Sequence, residues 1–545
     1  MGEISSQQTR FGVGRMGSIE DVGDRTSDIV VRTLERLGFT AAFGIPGMWS
    51  IQLYNSLSSS KIRHILVRHE EFAAYAADGY ARASGKAGLC VGTAGPGAVN
   101  IAAGLAAPFK DHSPVIAVTG QVPTGELGKG WIEDLDLQSI FRGVTKYTVQ
   151  LCDPAAAYDA IADCYRRSLE GCPGPCHISI PGDIQRKHSV MKDYIPEIAK
   201  VEPEPALVEE TADLISSSDR PLIIAGWGAI HSGASPQITR LAEAIPAPVA
   251  TSYMGRGVVP EDSRFSLGPA GKRGTDVANA ALSSCDLLLA LGCRLTNLTV
   301  GDARLRCKIV QVDVEPENFT TLPALRIRGD ASLFAEALLR RLRHPKRSGL
   351  WASHEREPPM QEGRSAEFMR AIASMRDSVF TVDIGKHTIW ALKAIRAKSP
   401  RSIIFSGNLS AMGFSLPAAL GAKVALPDRK VIAIMGDGGF QMTCPELSTL
   451  KENGLAVAVC VFNNGTLGLI RQLQERAYGK PFGVDYSSPP DYIALAKAFG
   501  VKGVIAENPS DAADALSDFD EPLVVEIRIP RDEPVPMGRP RVIDD

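Results

Sequence analysis

The sequence predicts an α/β protein of three consecutive domains with mostly parallel sheets. Short apolar, β-branched runs alternate with stretches of helical period, the pattern that yields parallel strands joined by crossover helices. These runs fall into three groups, parted by the polar KVEPEPAL (200–207) and by HPKRSGLWASHEREPPMQEG (344–363). A chain of 545 residues is also long enough for three or four domains of about 150 residues. The expected domains are 20–190, 205–343 and 364–545.

The first block opens with a helix that Thr26 or Ser27 can cap. Its apolar face is Ile29, Val30, Thr33, Leu34 and Leu37, and Gly38 ends it. A short strand, AAFGIPG (41–47), follows. The helix VRHEEFAAYAADGYARASGK (67–86) has a small apolar face of Ala73, Ala74, Ala77 and Ala81, with Glu70 and Glu71 in its first turn. Acids there suit the helix dipole, which is reason enough for them in isolation. Then come the strand AGLCVGTAG (87–95), a small-residue helix from about Ala98, and the strand PVIAVTG (114–120). The block closes near CHISIPGDI (176–184). The second block carries PLIIAG (221–226), APVATS (247–252), DLLLALG (286–292) and KIVQVDV (308–314). The third carries SIIFSG (402–407), KVIAIMGDGG (430–439), LAVAVCVF (455–462) and PLVVEIR (522–528).

Composition narrows the function classes. Hydrophobic residues make up 44% and charged residues 22%, and the net charge is −3, so no electrostatic case exists for nucleic acid or a membrane. The run Arg340, Arg341, Arg343, Lys346, Arg347 reads as a solvated helix end and linker. The pair Cys172 and Cys176 lacks a second pair and so predicts no zinc site. Cys285, Cys293 and Cys460 sit in apolar strands and behave as small hydrophobes, which fits a reducing cytoplasm. No apolar stretch reaches the ~18 residues of a membrane span. The first residues lack a signal core, and their loose myristoylation pattern (Gly2, Ser6) reads as a plain tail.

The chemistry lies in the third block. KVIAIM runs straight into GDGG (436–439). The helix FQMTCPELSTLKENG follows, ending at Gly454, and the next strand delivers Asn463 and Asn464. Across one strand–helix–strand unit, both strand ends face the same edge of a parallel sheet, where ligands bind in open α/β sheets. Asp437 and Asn464 can therefore reach one ion. A carboxylate, an amide oxygen and a backbone carbonyl are hard donors that suit Mg2+, which keeps part of its shell for a substrate phosphate. Gly436, Gly438 and Gly439 let backbone N–H groups approach that phosphate. The bland alternative is an incidental turn at Asn464–Gly465 together with another at GDGG.

This arrangement resembles the thiamine-diphosphate-dependent enzymes, whose motif is GDG, about 27 residues, then NN. The resemblance runs over about 20–530 and is closest to the acetolactate synthase catalytic subunit. It implies that Asp437, Asn464 and the backbone of Thr466 bind Mg2+, which clamps the coenzyme diphosphate. It implies that Glu70, which follows the histidine of RHEE, hydrogen-bonds N1′ of the aminopyrimidine and so drives loss of the C2 proton. GTAGPGAVN (92–100), GQVPT (120–124) and SAMGFSLPAALGA (410–422) also match. They imply coenzyme contacts at Gly47, Gly95, Gln121 and Met412, the last an apolar wedge. Gly385, His387 and Trp390 match a G-x-H-x-x-W stretch, with Lys386 in place of a glutamine, and Leu467 and Gly468 complete the asparagine loop.

The same resemblance frames the reaction. A decarboxylase must protonate its intermediate, whereas a carboligase spares it for a second carbonyl. Thr93 stands where benzoylformate decarboxylase has a histidine, and His112 matches a common structural position. Few placed acids favour a carboligase acting on pyruvate or a related 2-keto acid. The alternatives are a non-oxidative 2-keto acid decarboxylase and a non-catalytic paralogue. The family implies a homodimer or homotetramer, a regulatory subunit in some members, and FAD in the middle domain. Against FAD, the family's RFDDR reads Arg294, Leu295, Thr296, Asn297, Leu298 here. Leu473 replaces a pocket tryptophan, and Lys272 and Arg273 replace Met-His, where two cations could hold a carboxylate or simply face solvent.

Overall fold

The computed structural model describes residues 24–342, 349–353 and 362–536. Gly2 and Ser6, most of the second linker, and Arg343, Lys346 and Arg347 of the basic run lie outside the described residues. No described helix is long and apolar enough to cross a membrane.

Three six-stranded sheets follow one another along the chain. The first holds β1 (Ala41–Gly44), β2 (Arg63–Leu66), β3 (Gly88–Gly92), β4 (Val115–Gln121), β5 (Tyr147–Gln150) and β6 (Cys176–Pro181), in the order β2-β1-β3-β4-β6-β5. The second holds β7 (Pro221–Ala225), β8 (Val249–Thr251), β9 (Ser266–Pro269), β10 (Leu287–Leu291), β11 (Lys308–Asp313) and β12 (Leu325–Arg328), in the order β12-β11-β10-β7-β8-β9. The third holds β13 (Val379–Val382), β14 (Ile403–Phe405), β15 (Val431–Gly436), β16 (Val457–Asn463), β17 (Lys502–Ala506) and β18 (Leu523–Arg528), in the order β14-β13-β15-β16-β18-β17. Every named pairing is parallel. Central strands such as β15 and β16 are buried almost throughout, as sheets covered by helices on both faces require.

The first and third units share a core. The helix Glu70–Ser84 crosses the helix Ser415–Ala425 at backbone contact. A Cβ on Gly79 would sit 2.1 Å from the carbonyl oxygen of Ala418, and one on Gly421 would sit 1.8 Å from that of Ala76. The crossing is made by Ala76 and Gly79, outside the predicted small face; of that face, Ala74 lies against Gly104 and Ala77 against Gly88. A buried ion cluster fastens the same seam. Arg82 binds Asp78 through two bonds of 2.7 Å and donates to the carbonyl of Phe405 at 2.8 Å. Asp111 accepts from Arg82 at 3.1 Å and from the N–H groups of Gly407 and Asn408 at 2.8 and 2.7 Å. Removing one partner would strand a buried charge, at a cost of about 3–5 kcal/mol.

Two local expectations change. The first helix spans Thr26–Arg36 and its N-cap is Arg25, whose N–H donates to Asp28 at 3.1 Å; the Thr26 hydroxyl is spent on the carbonyl of Lys187. The single helix expected after GDGG is two, Asp437–Thr443 and Glu446–Glu452. Pro445, with no N–H and a ring that crowds the preceding turn, marks the break.

Candidate active site

β15 and β16 lie side by side, Gly436 opposite Phe462, so their ends deliver Asp437 and Asn464 to one edge. Asp437 is 2% exposed. Its carboxylate accepts from the N–H of Gly438 at 3.0 Å and of Gly465 at 2.8 Å. Burial pushes its pKa up to about 6, against the pull of those N–H groups. The two asparagines part company. Asn463 donates to the buried Glu526 at 2.7 Å and accepts from Gly465, so it pins the turn. Asn464 accepts only a long 3.3 Å bond from the N–H of Thr466 and opens on a cavity. The asparagine–glycine turn also exists, with Gly465 at φ +66°. Thr466 is buried; its hydroxyl donates to the carbonyl of Val484 at 2.9 Å and its own carbonyl accepts the N–H of Gly468 at 2.8 Å.

That cavity is about 310 Å3. The third-block residues expected to meet metal or coenzyme line it: Lys386 and His387 from the helix after β13, Met412 from the loop after β14, Gly436 to Gly439 at the end of β15, and Asn464, Thr466, Leu467 and Gly468 after β16; Asn463 and Leu473, the latter at the place of the pocket tryptophan, do not. Two glycines have no room for a side chain. A Cβ on Gly438 would meet Tyr486 Oη at 2.7 Å and Leu467 at 2.9 Å, and one on Gly439 would lie 2.0 Å from Asp383 Oδ2. Their backbone therefore forms the wall. His387 lies with Nε2 3.0 Å from the carbonyl oxygen of Asp383; the carbonyl can only accept, so Nε2 carries the hydrogen. Burial pushes its pKa down to about 4 and keeps the ring neutral. Lys386 donates to the carbonyl of Glu533 at 2.8 Å, and burial lowers its pKa. Buried Asp383, next to β13, was not foreseen; its Oδ2 accepts from the N–H of Gly413 at 2.9 Å and its Oδ1 has no partner.

The first unit carries a second set of residues at the matching sheet edge. Glu70 begins its helix and accepts from Asn100 at 3.0 Å, a partner the sequence did not reveal. A Cβ on Gly97 would lie 3.2 Å from Glu70 Oε1 and 2.9 Å from the methyl of Thr93, and one on Gly47 would lie 2.5 Å from Thr93 Cβ. Gly47, Thr93, Gly97, Glu70 and Asn100 thus form one patch past β1 and β3. Gly95 adopts φ +55° beside Glu133. Gln121 is buried and both ends of its amide are engaged, by the carbonyl of Leu135 at 2.9 Å and the N–H of Val122 at 2.8 Å. Glu70 and the other first-unit residues do not line the Asp437 cavity. Exposed apolar residues stand in both units: Met48, Ile51, Trp131 and Ile132 in the first, Met442 and Ile470 in the third.

A second cavity, about 120 Å3, opens where the strand order reverses, between β7 and β10. Counted from its own first strand, this sheet has the 3-2-1-4-5-6 order of dinucleotide-binding folds. Gly226, Gly228 and Gly292 meet at backbone contact below it. His112 lines this cavity rather than either edge above, with Nε2 unpartnered and its pKa pushed down to about 4 by burial. Lys272 and Arg273 line neither cavity.

Comparison with known proteins assigns each of the three units to a domain type. Residues 24–140 match the N-terminal TPP binding domain of thiamine pyrophosphate enzymes, 208–338 their central domain and 383–527 their C-terminal TPP binding domain. A probable acetolactate synthase large subunit of Methanocaldococcus jannaschii is 36% identical over 94% of this chain and 93% of its own. The acetolactate synthase large subunit of Parasynechococcus marenigrum is 36% identical over 86% and 81%, and that of Lactococcus lactis 32% over 93% of both. With all three domain types in order and this identity along nearly its whole length, the chain belongs to the thiamine pyrophosphate enzymes, among the relatives of acetolactate synthase large subunits.

Proposed function

We propose that this chain is a thiamine-diphosphate- and Mg2+-dependent carboligase acting on pyruvate or a related 2-keto acid, as its relatives' name, acetolactate synthase, describes for them. One observation carries the reading: Asp437, Asn464 and Thr466 line one glycine-walled cavity at neighbouring strand ends, in a chain 36% identical to such a protein. The donors fit a hard cation, since all three offer oxygen. When bound, thiamine diphosphate supplies the carbanion chemistry that accepts a 2-keto acid and releases CO2. Asp437, Asn464 and the Thr466 carbonyl would hold the Mg2+. Lys386 and the N–H groups of the GDGG wall would meet the diphosphate, and Met412 would pack against the coenzyme. Glu70 would hold the proton at N1′ of the aminopyrimidine.

Glu70 and the Asp437 cavity belong to different units, and apolar residues stand exposed in both, which supports a homodimer that brings one copy's Glu70 over the other's cavity. A smaller regulatory chain, as for relatives named large subunits, is part of the reading. FAD is a poorer fit. The cavity of about 120 Å3 falls below the ~300–1,000 Å3 of ordinary ligand pockets, and after Arg294 come Leu295, Thr296, Asn297 and Leu298. The test is product analysis with pyruvate, thiamine diphosphate and Mg2+. Acetolactate is expected. Free acetaldehyde alone would make the chain a decarboxylase, and no turnover across a panel of 2-keto acids would end the enzymatic reading.

A further inference from the structure

The segment that delivers Glu70 is held from outside its own unit. Glu446, the first residue of the helix Glu446–Glu452, is fully buried, and its Oε1 accepts the backbone N–H of Arg68 at 2.6 Å, two residues before Glu70. The same helix grips the same stretch elsewhere. Arg68 Nε donates to Ser448 Oγ at 2.9 Å, the guanidinium pairs with Glu452, and Thr449 Oγ1 donates to the carbonyl of Leu66 at 3.3 Å. The second carboxylate oxygen of Glu446 is shut away from solvent with no partner. Leaving such an atom unpaired costs about 1–3 kcal/mol, a cost that packing alone would not require. Burial pushes this carboxyl up to about 7, opposed by the N–H and the guanidinium of Arg68.

Between Arg68 and Glu70 there is little to absorb a displacement. His69 is extended, at φ −154° and ψ 140°, and caps the helix through Glu71. The first N–H groups of any helix lack intrahelical partners, so the start of this one is set by what holds the chain just before it. We propose that Glu446 is a positioning residue for Glu70: by fixing the N–H of Arg68 from the diphosphate-binding unit, it sets where the Glu70 carboxyl stands. This rests on the reading of Glu70 given above. A catalytic group must be held to about 0.5 Å, and a misplacement of about 1 Å can cost 100-fold.

The test compares E446A, E446Q and E446D in the full-length, coenzyme-loaded protein. Three readouts are followed: thiamine diphosphate affinity by calorimetry with Mg2+ present, C2 hydrogen–deuterium exchange of the bound coenzyme by NMR, and backbone amide exchange of peptides covering 66–70. In E446A the C2 exchange should slow about tenfold, with coenzyme affinity within about twofold of wild type and faster amide exchange at 66–70. E446Q keeps an acceptor oxygen at the same reach and should restore all three. E446D is one methylene shorter and should resemble alanine. Wild-type C2 exchange in E446A would overturn the proposal, as would loss of affinity in proportion to exchange. If alanine prevents folding, the glutamine and aspartate variants decide, and equal C2 exchange in those two would overturn it. Failure of the wild type to take up coenzyme would instead sink the reading of the site, and this inference with it.

Discussion

The first and third sheets share one strand order, and the turns at their matching strand ends can be compared residue by residue. β3 ends in GTAG (92–95), and its counterpart β15 ends in GDGG (436–439). Thr93 and Asp437 take the same place in that turn, and Ala94 and Gly438 the next. β4 ends on Gln121, whose amide is consumed by its own fold; just past β16 comes Asn464, whose amide opens on a cavity. The first unit's acid arrives from a different place, the start of the helix before β3. A common scaffold thus fixes where a ligand can sit, at the carboxyl ends of the strands. Which chemistry occurs there depends on one carboxylate and on whether an amide is left free.

The proposed function gives proton handling to the first unit and metal and diphosphate holding to the third, and the largest expected effect tests that division. Glu70→Gln should lower turnover by about 100- to 10,000-fold and suppress C2 proton exchange while coenzyme affinity stays within a few-fold. Asp437→Ala should fail earlier, raising the Kd for thiamine diphosphate in Mg2+ by about 100-fold or more, as loss of a metal ligand should. Calorimetry and proton exchange measured on both variants decide. If both lose coenzyme alike, the division between units is wrong.

A smaller contrast lies within the pair of asparagines. Asn464→Ala should weaken Mg2+-dependent coenzyme uptake and leave stability nearly untouched. Asn463→Ala should do the reverse. It removes a 2.7 Å bond to Glu526, a carboxylate 2% exposed, and should cost about 1–3 kcal/mol in urea unfolding with uptake unchanged. Equal losses of uptake would mean that both amides face the ligand.

Why some of this was legible and some not follows from burial and spacing. Strands buried on both faces, such as AVAVCVF, announce themselves as apolar runs. Four edge strands do not: RHIL (63–66), YTVQ (147–150), LRIR (325–328) and KGVIA (502–506) each expose part of their length to water and mix charged or polar residues with apolar ones. SLGP (266–269) hides behind its glycine and proline, and VFTV (379–382) is too short to stand out. That Asp437 and Asn464 come together was legible because a carboxylate and an amide at two strand ends leave a spacing in the chain. Asn100, Asp383 and Glu446 leave none; each is a polar residue that only the packing brings to its partner. Pro445 was visible, yet the helical pattern on either side masked the break it makes.

Asp383 offers the finest test, because the first unit has Ile45 at the matching place, next to β1. An apolar residue is at home there, whereas burial pushes the Asp383 carboxyl up from 3.8 to about 7 against the pull of the N–H groups of Gly413, Ile384 and Phe414. Between those two values the folded chain keeps a proton that the unfolded chain has lost. Stability must then fall as pH rises. The contribution is fully present below about pH 4 and is lost as pH climbs through about 7. Asp383→Asn keeps the shape and removes the titration. The melting temperature of the wild type relative to this variant should therefore drop from pH 5 to pH 8, by on the order of a few degrees. Lost Gly413 contact would shift the variant by a constant amount at every pH, so only the slope bears on the carboxyl. A flat difference would mean that Asp383 is ionised throughout, and that the backbone N–H groups around it outweigh its burial.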